Sequence, residues 1–231
     1  MRNLIYIPII HSSADMGSMA AELTQKSINE FGEKFWKTHI DTVTKYWEVI
    51  NLYCDAIDFD DKPVKIYQDG MVTDGGIALK IMEDSVKAGS KNYEIISKLV
   101  NRGAVIVKTE DLSMVKKELD MLKSIPSSGT LLMKVIKIIK FKISRHKLLV
   151  QRDKFITESI DKTLIHNETG IIFVGAYHRV LDKLPKDIVV TEVKEVNKVR
   201  EYQKLLPFHA KKKERFKELT QYLKNQVVYE R

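Results

Sequence analysis

Cysteine is nearly absent: Cys54 stands alone in 231 residues. That excludes an intrachain disulfide and a cysteine-built zinc site, and it leaves Cys54 as a small apolar residue on a helix. Proline and glycine are also scarce, at five and ten residues, too few for a low-complexity or collagen-like chain. No apolar stretch approaches the roughly 20 residues of a membrane span. The N-terminal run Leu4–Ile10 is too short for a signal-peptide core and soon gives way to His11 and Asp15, so the expected location is cytoplasmic. There is neither a glycine-rich phosphate loop nor a Gly-x-Ser-x-Gly elbow.

What is present is the composition of a folded globular chain, 44% hydrophobic and 30% charged, long enough to bury a sizeable core. The formal charge of +8 is unevenly placed. Lys134–Lys154 carries a net +7 and Lys194–Arg231 a net +6, so the remainder is mildly acidic. Such asymmetry fits either an anionic partner, nucleic acid included, or plain solvated lysine faces.

The hydrophobic pattern switches repeatedly between strand and helix. Leu4-Ile-Tyr-Ile-Pro-Ile-Ile is apolar almost throughout, as in a strand covered on both faces. Pro8 within it points to an edge or a strand end. Residues 18–55 follow a helical period that Gly32 breaks in two. Val64-Lys-Ile-Tyr and Ala104-Val-Ile-Val read as short strands, with helices over 77–100 between them and Arg102-Gly103 ending the second. Thr109 is the expected N-cap of the next helix. Pro126-Ser-Ser-Gly interrupts the chain. Beyond it one helix is expected, with Lys134, Lys137, Lys140 and Lys142 between its apolar positions, and then a second over 148–166. Ile171-Ile-Phe-Val and Asp187-Ile-Val-Val are further strands, and 196–228 is mostly helix, with a pause at Pro207. Strands alternating with crossovers this long predict a single α/β domain over 1–231. Its central sheet should be largely parallel or mixed, flanked by helices, with a helical insertion around 126–166.

In open parallel sheets the functional residues gather beyond the C-terminal strand ends. Here the strands run into His11-Ser-Ser-Ala-Asp15, Gln68-Asp69, Glu110-Asp111 and Gly175-Ala-Tyr-His178. Two imidazoles and several carboxylates on one rim are the ligand mixture of a Zn, Mn, Fe or Ni site, and a bound divalent ion would acidify a water into a nucleophile. Taken singly, each residue also has a plain structural use. A histidine after a strand often bonds locally, Asp69 beside Gly70 suits a turn, and Glu110-Asp111 suits a helix start. Lys108 and Arg179 flank the candidates, either as salt-bridge partners or as contacts for an anionic substrate. His166 and His209 look incidental.

Arg152-Asp153 at the head of a helix, followed by Gly170-Ile-Ile-Phe-Val-Gly-Ala-Tyr-His178, resembles the C-terminal half of the TraB/TIKI-like superfamily, which is related to the erythromycin esterase/ChaN-like proteins. Ile7-Pro-Ile-Ile-His11 is similar to the group's first strand, and Val105-Ile-Val-Lys-Thr-Glu110 to a later one that ends in an acid. The resemblance departs at the second strand, where a glutamate is common and this chain has Gln68-Asp69. It implies an α/β fold with a cleft at the strand ends, a hydrolase-like or metal-dependent peptidase ancestry, and haem binding in one branch. On that reading His11, His178 and Asp69 are metal ligands, and Glu110 is a further ligand or general base. Arg152 clamps charge or Asp153, and Arg179 and Lys108 contact a peptide or small-molecule substrate. Two alternatives stand beside it: a non-catalytic ligand- or partner-binding protein of the same fold, and nucleic-acid binding through the basic segments. Neither composition nor motif indicates an oligomeric state.

Overall fold

The computed structural model describes residues 1–12, 15, 20–59, 62–123 and 131–227, without the side chains of 20, 23, 119, 121–123 and 131–143. Pro126-Ser-Ser-Gly and the side chains of Lys134, Lys137, Lys140 and Lys142 therefore lie outside the described residues.

Five strands form one all-parallel sheet: β1 (Arg2–Ile9), β2 (Val64–Gln68), β3 (Val105–Val107), β4 (Thr169–Gly175) and β5 (Ile188–Glu192), in the order β3-β2-β4-β1-β5. Among the described residues, six α-helices occupy the connections, α1 (Ala20–Phe31), α2 (Glu33–Asp55), α3 (Gly75–Lys87), α4 (Lys91–Asn101), α5 (Leu112–Lys123) and α6 (Leu131–Thr163), and α7 (Val196–Leu205) and α8 (Lys213–Lys224) follow β5. The break between α1 and α2 falls at Gly32, whose φ of 84° is open to glycine at no steric cost.

Both faces of the sheet are covered, which is why its strands read as continuous apolar runs. On one face Ile7, Ile9, Ile66, Ile171 and Phe173 meet Val43, Tyr46 and Trp47 of α2, Ile95 and Ile96 of α4, and Phe216 and Leu219 of α8. On the other, Leu4, Tyr6, Tyr67, Ile172 and Val174 meet Ile156, Ile160 and Leu164 of α6. Each such side chain contributes about 1.5–3 kcal/mol by leaving water. Cys54 is buried in the first of these layers, and burial pushes its thiol up to about 12, in keeping with an inert apolar role.

Two local expectations change. The stretch expected to hold two helices is one continuous helix, α6, and its second half covers a sheet face. Thr109 does not cap α5. Its hydroxyl donates to Val107 O at 2.9 Å and accepts from Gln68 N at 3.2 Å, tying β2 to β3. The cap is Asp111, whose Oδ1 accepts from the Ser113 and Met114 N–H groups at 2.9 and 3.2 Å. Pro8 stands at the end of an interior strand, between β4 and β5, in keeping with the strand-end alternative, and the β5 ladder stops before it at Tyr6↔Glu192. Past that point the missing proline N–H has no ladder partner to lose.

Candidate functional site

The strand order decides what meets what. β4 inserts between β1 and β2, with Gln68 opposite Phe173 and Ile9 opposite Gly175. The residues just past β2 and β4 are thereby neighbours, and α6 crosses above them on one face of the sheet. Strand alternation then separates Gln68 from Asp69. Gln68 turns to the α4 face, where its Oε1 accepts from Asn92 Nδ2 at 2.9 Å. Asp69 turns to the α6 face and meets Arg152 and His178. Thus the acid that looked displaced in the sequence is the residue aimed at the site.

Gly175 lets Asp69 come close. Its N–H donates to Asp69 Oδ2 at 3.0 Å, and a Cβ there would stand 3.2 Å from the same oxygen.

Arg152 is buried and bonded to three carboxylates from three elements. Its Nη2 reaches Asp69 Oδ1 at 2.6 Å and Glu110 Oε1 at 2.7 Å, its Nε lies 3.1 Å from Glu110 Oε2, and its Nη1 bonds Glu118 of α5. Asp153, although next in sequence, is not the partner of Arg152. Its Oδ1 lies 2.6 Å from His178 Nδ1, and its Oδ2 accepts from the Arg179 N–H at 3.1 Å and lies 3.5 Å from Lys183 Nζ. Adjacent positions on a helix are about 100° apart, so the two side chains take different partners. With its Nδ1 engaged, His178 presents Nε2 to the site, 3.5 Å from Asp69 Oδ2.

The site is therefore built of opposing charges removed from water. Burial opposes ionisation of Asp69, but the charges of His178 and Arg152 and the Gly175 N–H outweigh it and hold the carboxyl at about 2. For Glu110 burial prevails over the Arg152 bonds and pushes the carboxyl up to about 7. Burial works against the charged form of His178, yet Asp69 and Asp153 together raise it above the ordinary histidine range. Asp153 is lowered despite its burial, chiefly through the bond to His178.

Asp69, Glu110 and His178 each offer one ligand atom, and these atoms lie within 4.8 Å of one another. This is a donor set for a single cation, two carboxylates and one imidazole. His11 is not part of it. Its side chain is exposed, and its charge reaches Asp69 only as a minor influence. The other flanking candidates also fall outside. Lys108 is exposed, with Nζ 5.9 Å from the centre of the Phe155 ring. Arg179 is exposed, and it is its backbone N–H that reaches Asp153. Glu118 and Lys183 were not singled out in the sequence, since nothing local distinguishes a lone acid or lysine on a helical or turn segment.

No family model, no curated protein and no solved structure matches the chain.

Proposed function

We propose that the chain is a metal-dependent hydrolase whose divalent cation is held by Asp69 Oδ2, Glu110 and His178 Nε2. The supporting observation is the His178 imidazole: Asp153 engages Nδ1 at 2.6 Å, and Nε2 faces the two carboxylates. A carboxylate behind a histidine fixes the tautomer and the ring orientation of a metal ligand and raises its basicity. Three protein ligands leave a position open for water, which a bound cation makes a nucleophile near neutral pH. Arg152 balances the excess of carboxylates and keeps Asp69 and Glu110 in place. The substrate class is a peptide or ester.

A second reading, a metal-free binding protein, is favoured by one observation. Arg152 already bonds both oxygens of Glu110 and one of Asp69, so a cation must displace part of that pairing.

Calorimetric titration of the purified chain with Mn²⁺ and Zn²⁺, together with elemental analysis, separates the two. The hydrolase reading expects one ion per chain, lost in His178→Ala and Asp69→Asn. It also expects chelator-sensitive cleavage of chromogenic esters or peptides. A protein that takes up neither ion under any loading condition leaves the binding reading standing.

A further inference from the structure

The turn that carries His178 is held from two sides. On one side stands Asp153, which takes the imidazole and the following N–H. On the other stands Arg200 of α7, which no sequence motif marks. Its Nε donates to Ala176 O at 2.6 Å and its Nη2 to His178 O at 3.2 Å, while Nη1 donates to Asn197 Oδ1 at 3.1 Å, one turn back along α7.

Ala176 and His178 lie past the end of β4, where no ladder takes their carbonyls, and both residues are buried. Buried carbonyls need a donor, and one planar guanidinium supplies two at fixed spacing. The helix behind it does not drift, because Val196, Val199 and Tyr202 anchor α7 in the core. Within the turn itself the His178 N–H donates to Gly175 O at 3.0 Å.

We infer that Arg200 is a positioning residue of this site, clamping the Gly175–His178 turn through the Ala176 and His178 carbonyls so that Nε2 of His178 stays aimed at Asp69 and Glu110. The inference rests on the metal reading of the site, but it can be tested with and without metal. Arg200 touches none of the three ligands. It acts through the backbone of one of them.

The test uses the full chain and three proteins: wild type, Arg200→Met and Arg200→Lys. The methionine variant keeps the aliphatic stem and loses both donors. The lysine keeps the charge and can serve one carbonyl but not both. In the metal-free proteins, the His178 ring signals are followed by NMR. Wild type should give one sharp set, Arg200→Met a broadened or doubled set, and Arg200→Lys an intermediate one. In Mn²⁺ titrations Arg200→Met should bind about 10–100-fold more weakly, the range seen when a partner behind a metal ligand is removed, and Arg200→Lys should recover part of the loss. Urea unfolding of each protein shows whether the variants remain folded. If Arg200→Met is too unstable to titrate, Arg200→Lys and Arg200→Gln replace it in both measurements. His178 signals and Mn²⁺ affinity unchanged in the folded variants would overturn the inference. A wild type that binds neither Mn²⁺ nor Zn²⁺ would overturn the metal reading instead, and the ring signals would still decide the role of Arg200.

Discussion

His178 Nδ1 and Asp153 Oδ1 lie 2.6 Å apart across 25 residues of sequence, both side chains buried. The pair joins the turn after β4 to the middle of α6. It is also what determines which imidazole nitrogen faces Asp69 and Glu110. Asp153→Asn keeps the shape and removes the charge, so the ring loses its fixed tautomer. The expected result is a roughly 10–100-fold fall in Mn²⁺ affinity with the fold intact, measured by calorimetry beside circular dichroism. An affinity equal to wild type would mean that the pair is only a packing contact.

Arg152 carries the largest expected effect on stability. Arg152→Met strands Asp69, Glu110 and Glu118 around an apolar side chain. Breaking a buried ion pair by removing one partner typically costs about 3–5 kcal/mol. Adding Glu110→Gln should restore part of the loss, because Glu110 is the fully buried member of the trio. Urea denaturation of the single and double variants reads this directly, and additive effects would show that the two residues do not share one network.

A pH effect should arise outside the site, at His39 on α2. Burial holds its imidazole down at about 4, from an ordinary value of 6.5, and its Nδ1 lies 2.9 Å from the Tyr202 hydroxyl. The sign follows from proton uptake. Between pH 6.5 and 4 the unfolded chain protonates this histidine and the folded chain does not, so the folded state loses stability as pH falls through that window. The loss attributable to His39 should reach up to about 3 kcal/mol. Urea unfolding at pH 7 and pH 5 should show a smaller difference for His39→Gln than for wild type. An equal difference would assign the acid sensitivity to other groups.

Most of the architecture was legible because it is local. Continuous β-branched runs mark strands buried on both faces, and the 3.6-residue period marks α2, α4 and α8. Alternation of strands with long crossovers implies a parallel sheet. The histidine of the Gly-x-x-His turn and the acid after β3 were legible as well, because each follows a strand that the sequence marks; the Arg-Asp pair stood out only through the resemblance, since it lies inside α6 and not at its start. Less was legible where local signals compete. Thr109 and Asp111 are both good caps by residue type, and only the position of the first turn of α5 chooses Asp111.

The sequence by itself determined which residues stand at the strand ends, since that depends on periods of two and 3.6 residues along the chain. The tertiary structure decided which of those ends are neighbours. His11 and His178 look alike as residues following strands. Yet the order β3-β2-β4-β1-β5 places the end of β4 directly beside that of β2, so His178 meets Asp69 while His11 stays exposed at the rim. The same holds for the partners of Arg152, which come from the end of β2, the end of β3 and α5, and for Arg200, which reaches the His178 turn from α7. Strand order is set by how the two apolar faces pack against helices from distant parts of the chain. No window of sequence contains that information, because the burial that selects one order is a property of the assembled layers and not of any one of them.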